Sequence, residues 1–170
     1  MTRFVRCLIA VGAIVVAVSC DKSPTAPSNE GASLSAQLSP ANEEVPVAGL
    51  EFLGTGSVSI TFSITRDASG AIATATAGFQ GSLLGFPRGT ELTAGHIHRG
   101  AAGTSGPVVV DIGLAPGEVV LPTGTGFFTK AGLSVSPELV QEMLNSPTAF
   151  YFHVHSVVND LGMARGQLTR

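Results

Sequence analysis

The sequence predicts an all-β domain, an antiparallel Greek-key sandwich or barrel with one short helix. Three observations predict it. The chain has 170 residues, a length that suits one domain, with 44% hydrophobic and only 12% charged residues, enough apolar material for a core. It carries 21 glycines and 10 prolines, a mix that suits short strands joined by tight turns better than long helices. About eight strand-length segments then recur at regular spacing, which is the pattern of a sandwich or barrel.

The elements follow in order. Leu34–Leu38 alternates and is broken at Pro40-Ala-Asn42. Gly56–Ile64 alternates with Val58, Ile60, Phe62 and Ile64 on one face, the period of a half-buried strand. Asp67-Ala-Ser-Gly70 is a turn, and Ala71–Phe79 the returning strand. Leu92–His98 and Pro107–Ile112 flank the loop Gly100–Pro107; Gly124–Lys130, Ala149–Val157 and Ala164–Thr169 complete the set. Ser136-Pro-Glu-Leu-Val-Gln-Glu-Met-Leu144 has the signature of the helix: a Ser N-cap, Pro at the first helical position and acids in the first turns.

The N-terminal region has a different grammar. Arg3 and Arg6 precede the apolar run Cys7–Val18, the pattern of a secretory signal and too short for a membrane span. The run ends in Ala17-Val-Ser-Cys20, which resembles a lipobox. Residues 1–19 therefore read as a signal peptide. Residues 20–33 read as a lipidated Cys20 and a flexible tether, since Asp21–Gly31 is too rich in Pro, Ser and charge to bury a core. Residues 34–170 read as the folded domain. These features imply a protein of the cell envelope, lipid-anchored to a membrane and extracytoplasmic, facing the periplasm or the cell surface. Which membrane stays open.

Charge and cysteine content exclude several functions. Removing Arg3 and Arg6 takes the net charge from −3 to −5, which leaves no basic stripe for nucleic acid. Both cysteines, Cys7 and Cys20, lie in the leader region, so the domain has neither disulfide nor thiolate. No nucleophile constellation stands out among the serines. Glu43-Glu44, in the turn after Pro40, reads as a solvated pair. The glycine spacing in Gly100–Pro107 lacks the following helix that a phosphate cradle needs and reads as a wide hairpin loop.

The histidines are the informative feature. All four occur as His96-Ile-His98 and His153-Val-His155. Alternate residues of a strand share a face, so each pair presents two imidazoles together. Ile97 and Val154 point the other way, with Phe150 and Phe152. If the strands are neighbours, His96, His98, His153 and His155 converge into a site suited to copper or zinc. Asp111 is the candidate acid to orient a ring from behind. The alternative is a set of partly buried histidines bonded to backbone or to acids.

Leu38-Ser-Pro-Ala-Asn-Glu-Glu-Val-Pro46, Ala94-Gly-His-Ile-His-Arg-Gly-Ala-Ala-Gly-Thr-Ser-Gly-Pro-Val-Val-Val-Asp111, Phe152-His-Val-His155 and Arg165-Gly-Gln-Leu168 together resemble the ordered signature of CHRD (chordin-type) domains. The resemblance spans roughly Leu34 to Arg170. It implies an antiparallel β-barrel or sandwich and a place among exported bacterial proteins and the extracellular animal protein chordin. Two positions depart from the pattern: Met163 stands where the family usually has an acid, and His153 where it often has Asn. The His-x-His strand also resembles the copper site of copper,zinc superoxide dismutases, although no further histidines remain to build the rest of that centre. The expected function is a non-catalytic, membrane-tethered binding module whose ligand is a protein partner or a metal ion. The alternatives are a copper-dependent, dismutase-like redox enzyme and an envelope structural protein without ligand.

Overall fold

The computed structural model describes residues 29–170. The expected signal peptide, the expected lipidation site Cys20 and nearly all of the expected tether lie outside the described residues.

Two antiparallel sheets face each other. The first has the order β1-β2-β3-β7, from β1 (Asn29–Leu38), β2 (Thr55–Arg66), β3 (Ile72–Leu84) and β7 (Gly126–Val135). The second has the order β5-β4-β8-β9, from β4 (Thr90–Arg99), β5 (Val108–Asp111), β8 (Phe150–Ser156) and β9 (Ala164–Gln167); β6 (Val119–Leu121) pairs with the other end of β4. The single α-helix of the described residues, α1 (Pro137–Asn145), lies between β7 and β8 in the chain and so joins the two sheets. Its first turn is capped as the sequence predicts: the Ser136 hydroxyl accepts the Leu139 N–H at 3.2 Å, and Val140 and Met143 are buried. One side of the sandwich is stitched: Ser35 and Thr169 exchange two backbone hydrogen bonds of 2.8 Å, joining β1 to the chain just past β9.

The fold is the all-β antiparallel sandwich that the alternation predicts. Val58, Ile60, Phe62 and Ile64 are all buried, as their shared face requires. The Gly100–Pro107 segment is a hairpin loop between β4 and β5, with His96 opposite Asp111 and His98 opposite Val108.

Four elements differ from expectation. β1 opens at Asn29, five residues before Leu34, because pairing with β2 continues down to Asn29 opposite Thr65. β3 runs on past Phe79 to Leu84 through Gly81. Gly81 faces inward against the Phe128 ring, which a Cβ would overlap, so glycine is a packing requirement there. β7 starts two residues after Gly124 and runs on past Lys130 to Val135, because its pairing with β3 continues to Ala75. β6 is only three residues long, below the length at which alternation can be read.

The core is aromatic at its centre. Phe152 from the second sheet is fully buried and lies 6.0 Å from the Phe79 ring and 6.1 Å from the Phe128 ring of the first. Truncating such a residue removes transfer energy and leaves a cavity. Phe152→Ala is expected to lower stability by about 3–5 kcal/mol. Phe127→Ala, at a ring that is 79% exposed, is expected to change it by no more than about 0.5 kcal/mol. Urea unfolding of the two variants checks the contrast.

Candidate metal centre

The site follows from the β4–β8 pairing. His96 lies directly opposite His153, His98 opposite Tyr151, and Ala94 opposite His155. Ile97 and Val154 turn inward and are fully buried, so the imidazoles occupy the outer face of the second sheet.

The structure brings His96, His98 and His155 together. One nitrogen from each ring lies within 4.8 Å of the other two, and His96 Nδ1 is 3.3 Å from His155 Nε2. Backbone carbonyls fix two of the tautomers, because a carbonyl can only accept. His98 Nδ1 donates to the Gly106 carbonyl at 2.9 Å, and His155 Nδ1 donates to the Asp160 carbonyl at 2.7 Å. The Nε2 of each ring is therefore the lone-pair nitrogen. That of His98 is buried with no hydrogen-bond partner. Rings held by an outer N–H, with the inner nitrogen free, are the usual arrangement of metal-ligating histidines.

The loops supply this support. Gly106 has no Cβ because one would collide with the Arg99 carbonyl, and this close approach places its own carbonyl beneath His98. The Gly106 N–H also donates to the Tyr151 hydroxyl at 3.3 Å. Tyr151 in turn stacks on the His98 ring, with centroids 4.8 Å apart and planes within 8° of parallel. Asp111 takes part as the register allows: its Oδ1 is 3.9 Å from His96 Nε2 and accepts the Gly113 N–H at 2.8 Å.

His153 stands outside the three-imidazole set. Its ring packs 4.2 Å from that of His155, but its Nε2 faces Glu43 Oε2 at 3.0 Å. This corrects the solvated reading of the Glu43-Glu44 pair. Glu44 is exposed, whereas the Glu43 side chain is 4% exposed and sits beside the histidines. Sequence reasoning missed it because 110 positions separate the partners and nothing local marks one acid of the pair. Neither nitrogen of His153, nor Glu43 Oε1, has a hydrogen-bond partner; all three are buried.

Burial sets the charge state of this pair. It pushes Glu43 up to about 7, against the pull of Arg165, His155 and His98. It pushes His153 down to about 4, helped by repulsion from His98 and Arg165. Both groups are driven toward their neutral forms, so the contact is no fixed ion pair. His96, His98 and His155 are also lowered, chiefly by burial. Held toward their neutral forms, the three converging rings suit a cation.

The site and fold define a β-sandwich with an imidazole-lined position on one sheet face. The CHRD domain family matches residues 34–168, and the chain belongs to that family. No curated protein matches the chain. No solved structure matches it either.

Two outcomes test this geometry. A histidine whose folded pKa is depressed takes up its proton more readily unfolded, so its contribution is present above about 6.5 and lost as pH falls. Glu43, raised from 4.5 to about 7, acts in the opposite sense between those values, its contribution lost as pH rises. Four lowered histidines outweigh one raised acid. Denaturant stability is expected to fall from pH 6.5 toward 4, less steeply in His153→Asn and more steeply in Glu43→Gln. Separately, Gly162 has φ +149° and lies against both His153 Nε2 and Glu43 Oε2, where a Cβ would overlap them. Gly162→Ala is expected to cost about 1–3 kcal/mol, measured by thermal or urea unfolding.

Proposed function

We propose that this protein is a lipid-anchored, extracytoplasmic CHRD module that binds a divalent transition-metal ion through His96, His98 and His155. The observation that carries this reading is the convergence of one nitrogen from each of three imidazoles within 4.8 Å, with the lone pairs of His98 Nε2 and His155 Nε2 set by carbonyls behind the rings. Ligand nitrogens around one Zn²⁺ at bonds of about 2.0–2.1 Å would lie roughly 3–4 Å apart, so small rotations of the rings suffice. Neutral imidazoles suit Cu²⁺ and Zn²⁺, and the usual affinity order favours copper. Asp111 stands behind His96, where its carboxylate can accept a hydrogen bond from Nε2–H once Nδ1 turns to the ion.

A second reading, in which the ligand is a protein, is supported by a separate observation. Leu50, Phe52 and Leu53 are more than half exposed on the segment before β2, as are Val157, Val158 and Leu161 after β8. Asn159 ties the two segments together by hydrogen bonds to Ala48 of 2.7 and 3.1 Å. Exposed apolar residues gathered in this way mark contact surfaces.

Titration with Cu²⁺ or Zn²⁺ tests the metal reading. One ion per chain is expected, and an ion at 100 times its Kd should raise stability by about 2.7 kcal/mol. His98→Ala with His155→Ala should abolish both effects; a double variant that binds as well as wild type defeats the reading. The anchor is tested by fractionation: wild type is expected with membranes and Cys20→Ser in the soluble fraction.

A further inference from the structure

We propose that Glu43 is the carboxylate ligand of this centre, its Oε1 joining the ion held by His96, His98 and His155 while His153 holds its other oxygen. The inference rests on the metal reading above and adds a residue from a different part of the chain.

The argument starts from what is left unsatisfied. A buried carboxyl oxygen without a donor loses its hydration and gains nothing in return. Glu43 Oε1 is such an atom, and so is His98 Nε2. Orphaned acceptors in one place call for a common partner, and a divalent cation satisfies them together. Glu43 is placed for this: its Oε2 lies 3.0 Å from Nε2 of His153, whose ring packs 4.2 Å from that of His155 and 5.3 Å from that of His98. Three neutral imidazoles leave a bound ion with its full double charge in a partly buried site. One carboxylate halves the net charge there, which lowers the penalty of burying it.

The other carboxyl oxygen explains His153. Its Nε2 is 3.0 Å from Oε2 but makes no hydrogen bond to it. A small swing of the carboxyl toward the ion aligns the ring N–H with Oε2. His153 is then a positioning residue that orients the ligand rather than binding the ion. Glu43 is not within 4.8 Å of all three imidazole nitrogens, so the swing is required. Its side chain has the rotatable bonds for it, and it stands on the irregular segment between Asn42 and Gly49 rather than in a strand. The nearby cation, Arg165, does not hold Glu43 back. Its guanidinium lies over the Tyr151 ring at 3.9 Å and donates to the Thr104 carbonyl at 3.1 Å, with no ion pair to Glu43.

The test uses the full chain and Zn²⁺ alone. Zn²⁺ affinity is measured by chelator competition, and infrared difference spectra are recorded with and without the ion. Wild type is expected to bind one Zn²⁺ and to convert a protonated or free carboxyl band into a metal-bound carboxylate band. Glu43→Gln, nearly isosteric, is expected to bind at least ~10-fold more weakly and to lack that band change. Glu43→Asp, whose carboxylate is one methylene short, should be weakened similarly and serves if the Gln variant fails to fold. His153→Ala should lose affinity and His153→Gln, whose amide N–H reaches the position of Nε2, should restore it. If Glu43→Gln binds as tightly as wild type, or shows the same band change, the role of Glu43 is overturned while the three-imidazole reading stands. If wild type itself binds no Zn²⁺, both fall.

Discussion

The register of β4 against β8 is the constraint on which the rest of this structure depends. Because side chains alternate along a strand, one pairing decides two things at once. With Ile97 opposite Phe152 and His96 opposite His153, the apolar residues enter the core and the imidazoles share the outer face. A slip by one residue would drive histidines into an aromatic core and expose Phe152. The hydrophobic effect, which fixes Phe152 between Phe79 and Phe128, thus also positions the polar site, and no separate energy is needed to gather the rings.

What the register cannot do is hold the rings in one orientation, and the loops supply that. His98 is anchored by a carbonyl from the β4–β5 hairpin and His155 by one from the β8–β9 connection. Tyr151 braces His98 from the neighbouring strand on the same sheet face. The glycine-rich hairpin has its explanation here: it lets the backbone come close enough to Arg99 for Gly106 to reach the ring. The result is a rigid frame around a buried His98 Nε2 that has no partner of its own and a His155 Nε2 whose one partner is the neighbouring His96 ring, a condition that a ligand would relieve.

The buried pair of Glu43 and His153 shows how a site collects groups from distant sequence. β1 carries its chain end across to β9 through the Ser39–Arg165 bridge, and the following turn delivers Glu43 to the edge of the histidine face. Gly162 leaves the space that the pair occupies. Met163, where the family resemblance leads one to expect an acid, is fully buried in the core instead, so no second carboxylate from that position competes at the site.

The sequence by itself determined the class of fold, the helix and its cap, and the fact that each His-x-His pair faces one way. These depend on periodicity and local bonding, which are properties of adjacent residues. It also supplied the family resemblance, through motifs that are contiguous in the chain. Only the tertiary structure decided that β4 and β8 are neighbours, that three rings converge while His153 turns aside, and that Glu43 is buried when Glu44 is not. Each of those depends on which strands pair and how far a loop reaches, and neither is written in the spacing of residues along the chain.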